Sequence, residues 1–180
     1  MVFDWNENSN EILESGMFRQ SYWPNVLEVC SDGGMIEGHI FRNFDNLKIE
    51  DWAWVKDCVF ENCGQVHFEK AKVMGCVFDG GQIIFGAYSG FINSEFKNMH
   101  CESDPALCLE VSDVQGCKFE NIELEDDAYL CEGKGECVIA ECSFENISTD
   151  SEDDDLFDEM EIYKRCTGED AVRSLKHWLD

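Results

Sequence analysis

A six-residue unit, small–x–Phe–x–Asn–apolar, recurs along the chain as HIFRNF (39–44), CVFENC (58–63), CVFDGG (76–81), SEFKNM (94–99), CKFENI (117–122) and CSFENI (142–147). Its phenylalanines, Phe41, Phe60, Phe78, Phe96, Phe119 and Phe144, are spaced by 19, 18, 18, 23 and 25 residues. Other columns keep the same step. Five residues before each Phe stand the apolar Ile36, Val55, Val73, Phe91, Val114 and Ile139. Seven before stand the small Gly34, Ala53, Ala71, Ser89, Ser112 and Cys137. Gly38, Asp57, Gly75, Asn93, Gly116 and Glu141, mostly turn formers, precede the units. Columns held in register over six copies mark an architecture in which each unit buries its apolar face against the next.

The alternation within each unit, with Cys58 and Phe60 on one side of the chain, has the period of a strand, and no 3.6-residue stripe runs through the repeats. Asn43, Asn62, Asn98, Asn121 and Asn146, with Gly80 in the remaining copy, fall one step past the strand. Asn and Gly are the residues that tolerate a left-handed backbone, and stacked Asn side chains can hydrogen-bond from one coil to the next. These features resemble the right-handed parallel β-helix, the pectate-lyase-like solenoid. The resemblance implies an all-β fold of about six coils over residues 34–148, a rod about 25–30 Å long at the usual strand spacing. Pentapeptide-repeat proteins are the other repeat architecture to weigh, but no continuous five-residue register is present. Solenoid ends need covering. Residues 1–33 are expected to form an N-terminal cap, with a short helix in SNEILESGMF. Residues 149–180 are expected to form an acidic segment and a C-terminal capping α-helix, in which Thr167 and Asp170 resemble a capping box and Val172, Leu175, Trp178 and Leu179 form an apolar stripe.

The charge is the unusual quantity. With 39 acidic against 13 basic residues the chain carries a net −26, while its 44% hydrophobic content keeps it in the globular class. Such a surface repels nucleic-acid phosphates and anionic lipid, so neither is expected as a partner. The start of the chain shows no basic and apolar leader pattern, and the cytoplasm is the expected compartment. Eleven cysteines, an odd number, then read as reduced thiols acting as small hydrophobes. The C-x₄-C spacings at 58/63 and 137/142 do not match zinc-ligand spacing, and no metal or other cofactor is expected. Cys101, Cys108 and Cys131 lie in longer inter-repeat segments and are the cysteines expected to react first if any does. His67 reads as an exposed residue near a strand start and His100 as a loop residue.

No nucleophile–base–acid arrangement, phosphate loop or H-x-x-x-H motif is present, so no catalytic residue is assigned and an enzyme is not expected. The informative feature is where the acid lies. Both long spacings add their extra length after the Asn turn, and insertions at equivalent points of a solenoid emerge on one side. One insertion carries Glu102 and Asp104, and the other carries Glu123, Glu125, Asp126 and Asp127. The following segment carries Asp153, Asp154, Asp155 and Asp158 around Phe157. These residues, Glu102 and Asp104 excepted, are the candidate partner-binding set, with Phe157 as an apolar anchor. The expected function is an acidic inhibitor, an immunity protein that neutralises a basic antibacterial toxin such as a nuclease. A DNA mimic acting on a nucleic-acid-binding defence protein, a carbohydrate-active β-helix protein and a bare scaffold are the other readings. An outward aliphatic stripe at Ile40, Val59 and Val77 is expected to be covered by the terminal segments, with a homodimer or partner contact as the other reading.

Overall fold

The computed structural model describes residues 2–4, 18–20, 26–30, 33–126, 128–150, 156–158, 162–164 and 166–168. Twenty-three strands and no helix occur among them. The strands form three sheets, and successive strands of the chain visit the three in turn. One coil illustrates the path. Gln65–Glu69 lies in the first sheet, Lys72–Met74 in the second and Val77–Asp79 in the third, and the next coil repeats the order from Ile83–Ala87. Every coil-to-coil pairing is parallel and in register, as in Phe41↔Phe60, Phe60↔Phe78 and Phe78↔Phe96. The described residues therefore form an all-β parallel β-helix with a three-sided coil.

Each corner is turned by a residue in the left-handed region followed by an inward residue. At the corner between the second and third sheets the left-handed residues are Gly38, Asp57, Gly75, Asn93, Gly116 and Glu141. At the corner between the third and first sheets they are Asn43, Asn62, Gly80, Asn98, Asn121 and Asn146, the Asn column of the sequence. Three of its side chains form the expected ladder. Asn146 Nδ2 donates to Asn121 Oδ1 (3.0 Å) and Asn121 Nδ2 to Asn98 Oδ1 (3.3 Å). The corner between the first and second sheets uses less permissive residues, among them Trp52, Lys70, Tyr88 and Val111.

The interior follows from the strand alternation. Phe41, Phe60, Phe78, Phe96, Phe119 and Phe144 stack with centroid separations of 4.8–5.2 Å. Phe3 adds a seventh ring 5.4 Å from Phe41 and belongs to a strand, Val2–Asp4, that pairs with Ile40–Arg42. Offset stacking of this kind adds about 0.5–1.5 kcal/mol per pair to the burial of each ring.

Four cysteines of one column sit at a corner, inside. Cys58, Cys76, Cys117 and Cys142 are buried, and each thiol donates to a main-chain carbonyl of the preceding coil: Ile36, Val55, Phe91 and Val114. Ser94 occupies the same column and accepts from the Cys76 N–H at 3.2 Å. Small polar side chains thus satisfy main-chain groups where the chain bends. All ten cysteines whose side chains are described are free thiols. Cys63 shares a buried column with Phe44, Met99, Ile122 and Ile147, and burial raises its pKa to about 12.

The ladders run past the interval 34–148. Val26–Cys30 pairs with Asn46–Glu50, and Phe18–Gln20 closes that edge by pairing antiparallel to Val26–Cys30. At the other end Phe157–Asp158 and Ile162–Lys164 add a further partial coil, and Thr167 bridges to Ser143. Thr167 thus continues the sheet pairing where a helix cap was expected. Gly168 follows it at the position under Phe144, where a Cβ would lie 2.3 Å from the Phe144 carbonyl oxygen. Of the expected N-terminal helix only Phe18 is described, and it begins a strand. The expected C-terminal helix lies outside the described residues apart from Thr167 and Gly168. No helix among the described residues is long and apolar enough to cross a membrane.

Candidate functional site: an acidic flange and an aromatic groove

The two insertions build a flange on the third sheet. Its last two strands, Lys118–Leu124 and Ser143–Thr149, run through the Asn corner to seven residues each. The short strand His100–Cys101 pairs with the extension, placing His100 beside Glu123 and Cys101 beside Leu124. Cys101, Ile122, Leu124 and Ile147 are buried beneath it. Main-chain bonds fix its rim, from the Glu125 N–H to the Cys101 carbonyl (2.8 Å) and from the Asp150 N–H to the Leu124 carbonyl (3.3 Å). Asp150 also accepts the Asp126 N–H at 3.3 Å, and Asp126 itself takes the left-handed conformation.

Glu123 and Asp126 are exposed on this rim, and Glu125 is half-buried there. Asp127, Asp153, Asp154 and Asp155 lie outside the described residues. Asp158 is half-buried in the first sheet, in register with Glu132. Phe157 corrects the expectation. It is 2% exposed, with its ring edge-on to Phe144 at 5.6 Å, so it closes the core and offers no exposed anchor. The thiol expectation is corrected as well. Cys101 and Cys131 are buried, and burial raises both pKa values, that of Cys101 to about 12. Cys108 is half-buried on the outer face of the first sheet, its pKa raised by burial and then by Glu132.

The histidines also differ from the sequence reading. His67 is half-buried, stacked on Phe85 at 4.3 Å and within 3.3 Å of the Asn46 amide. Burial, with a smaller contribution from Lys48, lowers its pKa. His100 is exposed on a strand, with Nδ1 3.2 Å from a Glu123 carboxylate oxygen. His100, Glu123 and Glu125 each bring one donor atom within 4.8 Å of the others. An imidazole with two carboxylates is a donor set compatible with a borderline divalent cation, on a surface where water competes.

Charge is distributed unevenly along the rod. Among the described residues, 33–97 carry 9 acidic and 6 basic side chains, a net of −3, whereas those from 98 to 168 carry 14 and 3, a net of −11. The lysines and the arginine of the outer third-sheet face are used in ion pairs, Arg42 with Glu61, Lys97 with Asp79 (3.5 Å), and Lys118 with both Glu120 and Glu145. Glu120 and Glu145 stack directly in register, and so do Glu132 and Asp158, an arrangement of like charges that opposes folding.

A second surface escaped the sequence reading. Trp52, Trp54 and Tyr88 are 68%, 51% and 55% exposed, and they line a groove of about 420 Å³ with Lys70, Lys72, Gly90 and Asp113. The Lys72 ammonium lies 4.9 Å from the centre of the Trp54 ring. The signal in the sequence was the pair of tryptophans in DWAWVK, at a repeat position that elsewhere carries no shared residue type. No protein-family model and no curated protein matches this chain.

Proposed function

We propose that the protein is an inhibitor that works by binding, its acidic C-terminal coils covering a basic site on another protein. The observation that carries this reading is the net of −11 on the described residues from 98 to 168, against −3 on residues 33–97, with a flange that holds Glu123, Glu125 and Asp126 on a fixed edge. Folding alone does not need the flange, since the earlier coils close their corners with 18 or 19 residues. A field of one sign over such a surface steers a cationic partner and raises association toward about 10⁸–10⁹ M⁻¹s⁻¹ at low salt. Fast capture suits a cytoplasmic immunity protein that must neutralise a basic toxin, such as a nuclease, inside the cell that makes it. A continuous DNA-like row of carboxylates is a poorer description of the third-sheet face, where Arg42, Lys97 and Lys118 interrupt Glu61, Asp79, Glu120 and Glu145. The solenoid is taken to be the right-handed, pectate-lyase-like kind, in keeping with the general handedness of parallel crossovers.

The test is capture of partners from the source organism at low salt, followed by expression of any basic partner alone and together with this protein. The reading expects growth arrest alone and rescue by co-expression, with rescue weakened by Glu123→Gln/Glu125→Gln/Asp126→Asn. A partner set without a basic protein, or full rescue by that variant, would discard the acidic face as the site.

A further inference from the structure

The aromatic groove is one continuous feature. Met35, Trp54, Lys72, Gly90 and Asp113 stand in register on the outer face of the second sheet. Two residues before that row, at the adjoining corner, stand Trp52, Lys70, Tyr88 and Val111, all with positive φ. Bulky and β-branched residues are rare in that conformation, and here their side chains are exposed, so they add nothing to the core. Gly90 forms a notch between Lys72 and Asp113, because a Cβ there would meet nothing within 4 Å.

Two properties of the groove select an occupant. The first is spacing. Trp52 and Tyr88 lie two coils apart on one column, about 9.6 Å at the usual strand spacing. One turn of polyproline II, three residues, rises about 9.3 Å, so prolines at i and i+3 meet successive aromatic rings. The second is hydrogen-bond sense. The indoles of Trp52 and Trp54 and the Lys72 ammonium only donate, Lys70 donates to Glu69 at 2.7 Å, and Tyr88 and Gln115 can donate as well as accept, whereas a proline-rich strand offers carbonyls and few N–H groups. Asp113, the lining group that only accepts, suits a basic residue flanking the prolines.

We propose that this groove docks a proline-rich segment of a partner protein in the polyproline II conformation. The site is separate from the acidic flange and does not depend on the inhibitor reading. Aromatic-lined grooves bind such segments with little loss of ligand entropy, because the ligand is already extended.

The probe is a fluorophore-labelled deca-proline peptide, followed by anisotropy, with a glycine–serine decapeptide and chitohexaose as comparison ligands. Saturable binding of deca-proline alone is expected, weakened about tenfold or more by Trp54→Ala and by Tyr88→Ala, as for anchor residues of an interface. Gly90→Val fills the notch from a strand position that accepts a side chain, so it should block binding while the thermal midpoint stays level or rises. Glu123→Gln/Glu125→Gln/Asp126→Asn should leave deca-proline binding unchanged. The proposal is overturned by the absence of saturable deca-proline binding, or by equal binding of the glycine–serine peptide. Undiminished binding in Gly90→Val, or binding of chitohexaose in place of the peptide, overturns it equally.

Discussion

Replacing Phe78 by Ala tests the aromatic ladder at its centre. Phe78 stacks on Phe60 at 4.8 Å and on Phe96 at 4.9 Å, and meets Phe68 and Phe91 edge-on. It is 1% exposed, so truncation removes the whole ring from the core. The coils above and below are held by main-chain ladders on three sides and cannot collapse into the space. The cost should therefore fall at the upper end of the usual about 3–5 kcal/mol for a buried Phe→Ala change. For a chain of this size 4 kcal/mol corresponds to a fall of about 8–16 °C in thermal midpoint. Phe78→Leu keeps most of the volume and loses the stacking, and should cost about 1–2 kcal/mol. Phe3→Ala removes a ring from the edge strand of the third sheet, which can open locally, and should cost about half as much as Phe78→Ala. Urea unfolding followed by circular dichroism measures all three. A cost for Phe78→Ala below about 1.5 kcal/mol, or equal to that of Phe3→Ala, would refute a rigid ladder that stores its stability in the middle coils.

Gly81 combines a φ of 94° with a would-be Cβ 2.2 Å from the Cys63 carbonyl oxygen, so Gly81→Ala should cost more than about 3 kcal/mol by denaturant titration, and a cost under 1 kcal/mol would contradict the corner geometry. The lowered pKa of His67 means that the unfolded chain takes up a proton before the folded one as the pH drops below about 6.5. Its contribution to stability is complete above that value and is lost as pH falls toward the folded pKa. The stability difference between the wild-type protein and His67→Gln should therefore shrink between pH 7.5 and 5.5, and a difference that stays constant would remove the buried neutral imidazole from the account. Thiol alkylation mapped by mass spectrometry at pH 8 should modify half-buried Cys108 before the buried Cys63, Cys101 and Cys131, because burial raises the pKa of all four and only Cys108 is partly exposed to the reagent. Equal rates at all four would show that the interior is open.

Much of the scaffold was legible because it is written once per coil. The Phe column, the Asn corner and the small inward column each need one residue type at one position, so the requirement recurs and shows as a repeat. What was missed lies where the requirement is weaker or met by a different residue. MVFD at residues 1–4 repeats the CVFD of residues 76–79, yet the first coil lacks the rest of the unit and its Phe3 went unread. Cys166 continues the thiol column at the far end, but Gly168 stands where the Phe would be. The corner between the first and second sheets demands a left-handed backbone and little else, so Trp52, Lys70, Tyr88 and Val111 share no side-chain chemistry and no column was visible. The flange was legible only as added length, since pairing of His100–Cys101 with Glu123–Leu124 depends on contacts 23 residues apart. Phe157 was misread because an aromatic residue within an acidic run looks exposed, and only the next coil's register shows that it packs against Phe144.

The central claim, that the acidic C-terminal coils carry the binding, is tested most directly by the salt dependence of affinity for the captured basic partner. Surface plasmon resonance at about 50 and 300 mM NaCl, on either side of the ionic strength at which the Debye length is 10 Å, separates steering from contact. The wild-type protein should lose about tenfold or more in affinity, mainly through the association rate, and Glu123→Gln/Glu125→Gln/Asp126→Asn should lose much of that dependence. Equal affinities and equal salt slopes for the two proteins would contradict the account.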